Sequence, residues 1–410
     1  MRYYIILQPT IRSMGGEEMY TRNKVNSARE RGYTPLVFHN GGGEKIYVDE
    51  LKVYEKYEFQ EFRYEPCVIS KGKKKRLLER IKSILEDFDE ESIIESHEML
   101  IAEWGEFVAK ALGIRHFAYM LLEHNTITYK PLYDFFKFKY NRRELAGIIR
   151  DTIPDMFCEF TNDVEGYSLP AYCTNVYENI PCPDKFKIVN GYCTIGSIGR
   201  TNKAYVQPMI DAVLKFVGRN SDKMYNFLYI GGSMDKTSEQ LVIKRLSAIP
   251  NLKLTFTGML FPIPVSLIKQ MDVCLASSGS CRVSANCGIP TISIDANDNK
   301  AIGIINVTTN NSLFRDNHEP PIEIDDALED VLIKKICTKE DKLELINIDF
   351  SSHWIFVEQM ASEKEYYDIS QINYPLKRKL ISLFLGYYYG LPTNSTRHRL
   401  IEKCISLLKK

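Results

Sequence analysis

Short apolar runs, each closed by a glycine or a small polar turn and followed by a helix-length amphipathic stretch, recur along most of this chain. No other feature of the sequence restricts the fold as strongly. Tyr3 to Leu7 reads as a buried strand, Gly15-Gly16 as a loop, and Glu17 to Arg31 as a helix closed by Gly32. Thr34 to Phe38 is the next strand. Ser92 to Glu95 is another, running into Ser96-His97, and a helix from about Ile101 to Leu112 stops at Gly113. Arg115 to Leu122 is predicted as a strand ending at Glu123-His124, and Met156 to Phe160 as a further strand. Strands alternating with helices in this way require a parallel sheet covered on both faces.

The pattern lapses between Asn179 and Asn190, where Ile180-Pro181-Cys182-Pro183-Asp184 reads as a linker, and then restarts. Cys193 to Ile198, Asn226 to Ile230, Leu252 to Thr257, Val273 to Ala276 and Thr291 to Asp295 are the second set of strands. Helices are predicted over Gln207–Gly218, Ser238–Ala248 and Pro264–Met271, and a fourth opens at Ser277 to Ser280 and ends near Gly288. The division is therefore residues 1–178, a linker over 179–190, and a second doubly wound α/β domain over 191–374.

Composition removes several classes of function. The 410 residues suit two α/β domains, and 44% hydrophobic content supports sizeable cores. Lys+Arg and Asp+Glu both number 53, a balance that excludes a general nucleic-acid binder. The apolar start Met1 to Leu7 runs into Gln8-Pro9 without a cleavage pattern, and no apolar run is long enough to span a membrane. Ten scattered cysteines without zinc spacing read as reduced thiols of a cytoplasmic protein.

Ligands of open parallel sheets sit beyond the carboxyl ends of the strands. In the second half those ends carry Gly199-Arg200, Gly231-Gly232-Ser233, Thr257-Gly258 and Ser277-Ser278-Gly279-Ser280. The segment Gly196 to Lys203 is a strand, a glycine turn and two cations before a helix, the composition of a diphosphate site. Exposed cations would look the same in isolation. In the first half the strand ends carry Gly15-Gly16, Ser96-His97 and Glu123-His124. Gly15-Gly16 is either a plain turn or a loop with positive φ that lets backbone approach a pyrophosphate. His124 and His97 are either structural or placed to hydrogen-bond a sugar hydroxyl or take a proton. Ser278 to Ser280 serves equally as a helix cap and as a source of open N–H groups. The basic run Lys71 to Arg76 is a solvated helix face or an electrostatic contact with anionic lipid.

These motifs together resemble the GT-B glycosyltransferases of the glycosyl transferase group 1 type, over roughly Tyr3 to Ile305. Gly15-Gly16-Glu17-Glu18 and Arg29 to Val37 are similar to that family's glycine loop, helix and second strand. Ile94 to His97 and Leu121 to His124 resemble its two strands ending in histidine, the latter facing the sugar. Gly199-Arg200 with Lys203 resembles its diphosphate clamp, Asp272 to Ser277 its acidic-start strand, and Asn286 to Ile292 its Gly-x-Pro turn. The resemblance implies two Rossmann-like domains facing across a cleft, with a C-terminal helix, residues 375–410, returning to complete the first. The family's two glutamates before the Gly-x-Pro turn are replaced here by Ala276 and Ser284, and its lysine lies further from the arginine than Lys203 does.

The implied activity is transfer of a sugar from a nucleotide-diphosphate donor to a hydroxyl of a glycan or lipid-linked saccharide. His124, Arg200 and Lys203 are the expected catalytic residues. Gly15, Gly16, Gly199, Gly232, Ser278, Gly279 and Ser280 join Arg200 and Lys203 in donor binding, and His97 and Glu123 lie on the acceptor side. No metal and no cofactor beyond the donor are expected, because cations replace a divalent ion. The expected setting is the cytoplasm, with a peripheral membrane contact at the inner face as the alternative. A sugar-nucleotide epimerase or hydrolase, or a binding subunit without catalysis, would share the fold.

Overall fold

The structure is a computed structural model that describes every residue except 44, 159–165, 174–175, 178–179, 189–190, 234–235, 340, 342–348 and 389–410. Two compact units emerge, Met1–Cys173 with Ile348–Lys410, and Thr174–Asn347. The ends of the expected linker and everything past Tyr388 in the expected C-terminal helix lie outside the described residues.

The first unit opens with β1 (Tyr3–Gln8), α1 (Gly16–Glu30), β2 (Thr34–His39), α2 (Lys71–Ile84), β3 (Ile93–His97) and α3 (Met99–Leu112). It continues with β4 (Arg115–Met120), α4 (Lys130–Asn141), β5 (Leu145–Gly147) and α5 (Thr152–Phe157). All five strands are parallel, in the order β2-β1-β3-β4-β5. Tyr3, Ile5 and Leu7 pack with Phe38, Ile94 and Trp104 on one face, while Ala118, Met120 and Leu145 pack with Phe135 and Ile153 on another. Helix α1 starts on the acids Glu17 and Glu18 and ends on Arg29, in agreement with its dipole.

Two expectations change here. The strand predicted at Met156 to Phe160 is helical through Phe157, because Thr152, Ile153, Met156 and Phe157 bury one face at helical spacing. The fifth strand is instead the short Leu145–Gly147, too brief to leave a periodic signal. The fourth strand stops at Met120, where pairing with Gly147 ends, and not at Leu122, which is half exposed.

The second unit contains β6 (Val176–Tyr177), β7 (Cys193–Ile198), α6 (Val206–Arg219), β8 (Tyr225–Ile230), α7 (Lys236–Leu246) and β9 (Leu252–Phe256). Then come β10 (Ile263–Pro264), α8 (Val265–Ile268), β11 (Val273–Ala276), α9 (Gly279–Asn286), β12 (Thr291–Ile294), β13 (Ala301–Ile304) and α10 (Ile324–Leu332). The main sheet runs β13-β12-β11-β7-β8-β9, and only β13 is antiparallel. Alternate residues feed two cores. Ile195, Phe227, Tyr229 and Leu275 pack on one side, and Ile198, Leu228, Ile230 and Cys274 on the other. Phe186 and Cys182, from the expected linker, pack into the second of these cores.

The chain then returns to the first unit as α11 (Ser351–Gln359) and α12 (Leu376–Tyr388). Ser382 accepts a hydrogen bond from the Glu65 backbone N–H at 3.1 Å. A Cβ on Gly386 would meet the Tyr64 ring at 2.2 Å, so only glycine lets α12 lie this close.

Candidate functional site

In each sheet the strand order reverses once, between β1 and β3 in the first unit and between β7 and β11 in the second. The loops leaving such a pair diverge to opposite faces and open a crevice at their carboxyl ends. The two crevices carry different chemistry.

At β7/β11, Arg200 follows the first strand and Ser277 to Ser280 the second. Gly199 donates its N–H to Ile230 O at 3.0 Å, tying the turn after β7 to the end of β8. Gly231 has φ +133, and a Cβ there would lie 2.1 Å from Gly199 O. A Cβ on Gly232 would press on Glu239 Oε1 at 2.5 Å. Gly231 is therefore set by close backbone approach, whereas Gly232 is confined by the Glu239 carboxylate. Glu239, on α7, accepts from the Ser233 N–H at 2.8 Å and from Lys236 Nζ at 2.9 Å, which fixes this turn.

Arg200 is exposed, and among the described residues its guanidinium has no hydrogen-bond or ion-pair partner. Lys203 is also exposed. Helix α6 begins at Val206, so both cations belong to the loop before it, as the helix expected from Gln207 implied. Ser278 is the N-cap of α9 at φ 61 and ψ −138, a backbone region nearly reserved for glycine. Gly279 and Ser280 follow as the first residues of α9. The Ser277 hydroxyl is buried without a partner among the described residues. An anion entering here meets a free guanidinium, an unengaged hydroxyl and the N–H groups of a helix start.

The family's glutamate positions are filled otherwise. Ala276 ends β11 in the core, and Ser284 donates to Ser280 O and accepts from Thr291 Oγ1 at 2.8 Å. Asp295, after β12, is engaged by Arg315 at 2.9 Å.

The β1/β3 crevice is lined by titratable groups. His97 is fully buried, with Nδ1 3.1 Å from Glu17 Oε1 and Nε2 3.0 Å from Glu95 Oε1. Carboxylates only accept, so both ring nitrogens carry protons and His97 is an imidazolium. Burial disfavours that charge, but the hydrogen bonds to Glu17 and Glu95 outweigh it and raise the histidine above its ordinary range. Burial alone would raise Glu95; the bond from His97 and the charge of Lys24 hold it down instead. Glu95 also accepts from the Tyr4 hydroxyl and from the Tyr20 hydroxyl at 2.6 Å. Tyr20 reaches His353 Nδ1 at 3.3 Å, and His353 donates to Pro170 O at 3.0 Å through Nε2. Lys24 is buried among the rings of Tyr4, Phe350 and Trp354.

Glu98 stands next to His97, at the cap of α3, with φ 65 and ψ 161. Its carboxylate has no hydrogen-bond or ion-pair partner among the described residues. Burial and then repulsion from Glu17 raise it to about 7, against a lowering by His97. A strained backbone and a carboxyl raised by burial make Glu98 a candidate functional position.

The other expected residues are placed as follows. Gly15 is extended, at φ −154, and neither Gly15 nor Gly16 adopts positive φ, so backbone conformation does not require glycine there. His124 is an exposed loop residue four positions past the end of β4, paired through Nδ1 with Asp155. Glu123 is half-buried beside it. His97 is fully buried, and the side chain of its partner Glu17 is 21% exposed. Sequence reading missed Glu95, Glu98 and Glu239. Glu95 could have been found, since i and i+2 on a strand share a face with His97. Nothing in the sequence signals the backbone conformation of Glu98. Among the described residues no group of three His, Cys, Asp or Glu side chains is arranged to hold a metal ion.

No protein-family model and no curated protein sequence matches the chain. Solved structures do. A glycosyltransferase from Rickettsia africae ESF-5 is similar at 14% identity and TM-score 0.54, covering 100% of this chain and 98% of its own. Anabaena HepE, solved with UDP and glucose, is similar at 15% identity and TM-score 0.52, covering 91% of this chain and 97% of its own. Staphylococcus aureus MnaA, solved with UDP, is a looser likeness at 12% identity and TM-score 0.48, over 90% and 100%. At these identities the likeness is one of fold. The chain has the α/β architecture of GT-B proteins, with two parallel-dominated, doubly wound sheets.

Proposed function

We propose that the protein is a glycosyltransferase of the group 1 kind that uses a nucleoside-diphosphate sugar. The observation that carries this reading is the pair of loops after the adjacent strands β7 and β11, one with the free Arg200, the other with the unengaged Ser277 hydroxyl and the start of α9. UDP is the nucleotide to try first, because HepE of the same fold was solved with it. Arg200 and Lys203 hold the β-phosphate. When the anomeric C–O bond breaks, the electron pair leaves with the diphosphate, and preorganised cations and N–H dipoles stabilise that charge. This arrangement needs no divalent ion. An acceptor hydroxyl of a glycan or lipid-linked saccharide attacks the anomeric carbon and gives up its proton. In the first unit, Glu98 at the strained cap of α3 is the side chain proposed to exchange a proton, its carboxyl raised by burial and then by Glu17. The setting is the cytoplasm, in keeping with cysteines that are free throughout the described residues.

A second reading is favoured by one observation. Glu98 and Glu17 form the carboxylate pair that a sugar-nucleotide epimerase or hydrolase would need. Incubating the protein with UDP-sugars in heavy water, without acceptor, separates the two: deuterium in the recovered sugar or release of UDP supports the second reading.

The donor-site test is a thermal-shift series of nucleoside diphosphates, monophosphates and nucleosides. A diphosphate at about 100 times its Kd adds about 2.7 kcal/mol of stability. A nucleoside diphosphate should raise Tm well beyond its monophosphate. An equal response to the plain nucleoside would remove the diphosphate clamp from the reading.

A further inference from the structure

Helix α12 shows an exposed apolar stripe. Leu376 is 73% exposed, Leu380 38%, Leu383 45% and Tyr387 48%. Steps of four, three and four residues put these side chains within about 60° of one helical face. The opposite face, with Ser382 and Gly386, is the one buried on Tyr64 and Glu65. Soluble proteins rarely leave such a contiguous stripe in water. Lys377 and Lys379 flank it, and Leu376–Tyr388 contains no carboxylate.

The neighbouring surface is also cationic. Helix α12 packs on the 3-10 turn Pro66–Val68, and α2 starts at Lys71, just beyond it. Lys74 and Lys379 both act electrostatically on Cys67 of that turn, so the starts of the two helices lie on one patch. Lys71–Ile84 holds a single carboxylate, Glu79, against seven cations. Lys73 and Arg76 are exposed and have no acidic partner among the described residues. Since Lys+Arg and Asp+Glu are equal over the whole chain, this positive charge is a local concentration.

We propose that this face of the first unit docks on an anionic phospholipid bilayer, with α12 lying in the interface plane. Leu376, Leu380, Leu383 and Tyr387 enter the headgroup–acyl boundary. Lys377 and Lys379 extend from either side of the stripe to lipid phosphates, and the cations of α2 add long-range attraction. Charge decides the occupant: a second copy of the chain would set these cations against their own kind, whereas an anionic surface complements them. No described helix is long and apolar enough to cross a membrane, so the contact is peripheral.

The test is flotation of the full-length protein with vesicles of phosphatidylcholine alone or with an equal part of phosphatidylglycerol. Binding is expected only to the anionic vesicles and should weaken as salt rises. One interfacial cation contributes about fivefold (about 1 kcal/mol), so Lys377→Gln with Lys379→Gln should lower the partition coefficient roughly 25-fold. Leu380→Glu with Leu383→Glu should abolish binding. If that pair fails to fold, Leu376→Glu at the most exposed position gives the same reading. Absence of binding to anionic vesicles, equal binding to both compositions, or unaltered binding of the variants would overturn the proposal. So would a concentration-dependent dimer that Leu383→Glu dissolves, which would make a second copy the occupant.

Discussion

The two crevices occupy equivalent topological positions and are equipped in opposite ways. At β7/β11 the carboxylates are engaged: Glu239 by the Ser233 N–H and Lys236, Asp295 by Arg315. A guanidinium is left free. At β1/β3 the cations are engaged: Lys24 by three aromatic rings and His97 by two carboxylates. A carboxyl is left free, on Glu98. One crevice presents an unpaired cation, and the other an unpaired carboxyl. The fold supplies the same opening twice, and what differs is which sign of charge the surrounding side chains leave uncompensated.

The largest effect is expected from removing the free carboxyl. Glu98→Gln keeps size and polarity but cannot take a proton. Positioned acid–base groups contribute roughly 10²- to 10⁴-fold, and turnover should fall by that order. Binding of the nucleoside diphosphate, followed by calorimetry, should stay unchanged, since the proposed diphosphate site is in the second unit. Loss of nucleotide binding together with turnover would mean that the two crevices do not divide the work as described.

Removing the free guanidinium is the complementary cut. Arg200→Ala leaves no buried unpaired group, so Tm should hold. A charge-assisted hydrogen bond is worth about 1.5–3 kcal/mol, which corresponds to roughly tenfold to a few hundredfold in kcat/KM. Lys203→Ala should behave alike, and the double variant should fall short of the product, because both cations act on one diphosphate. Initial rates against donor concentration check this. Normal turnover by Arg200→Ala would place the diphosphate elsewhere.

The residues of the second crevice were mostly legible in the sequence, and those of the first were mostly not. Gly199, Gly232 and Ser278 to Ser280 close apolar runs, and a glycine or serine at a strand end is a local signal. The six-stranded sheet of the second unit has the order 3-2-1-4-5-6, with the antiparallel β13 at its edge. The first crevice is assembled from residues distant in sequence, Tyr4, Glu17, Glu95, His97 and His353. Pairing across such separations leaves no periodicity to read. His124 shows the opposite failure. A histidine at the end of an apolar run looked like a strand terminus, but Leu121 and Leu122 lack a partner strand, so the sheet ends earlier. The strand expected at Met156 is a related case, where a short apolar run fits either period and tertiary packing chose the helix.

The smallest expected effect is also the most specific to the first crevice. Glu98 titrates at about 7 in the folded protein against 4.5 for an ordinary glutamate. A carboxyl raised by folding binds its proton more tightly in the native state, so the folded state is favoured at low pH. That contribution is complete below about 4.5 and is lost as pH rises towards 7. His97, also raised, loses its contribution at higher pH, above its unfolded value of 6.5 and up to about 9. Other buried groups titrate in the same range: Glu18 is raised to about 7 and Glu103 to about 8, while His116 and His353 are lowered. Glu98→Gln removes only its own proton linkage, so the parent's melting temperature, taken relative to the variant's, should fall as pH rises from about 4.5 to 7. Above neutrality the variant should melt a few degrees higher than the parent, because a charge disfavoured by burial and then by Glu17 is gone. Arg200→Ala, in the other unit, should run parallel to the parent at every pH. If Glu98→Gln also ran parallel, Glu98 would be an ordinary solvated carboxylate, and the contrast between the two crevices would rest on His97 and Glu95 alone.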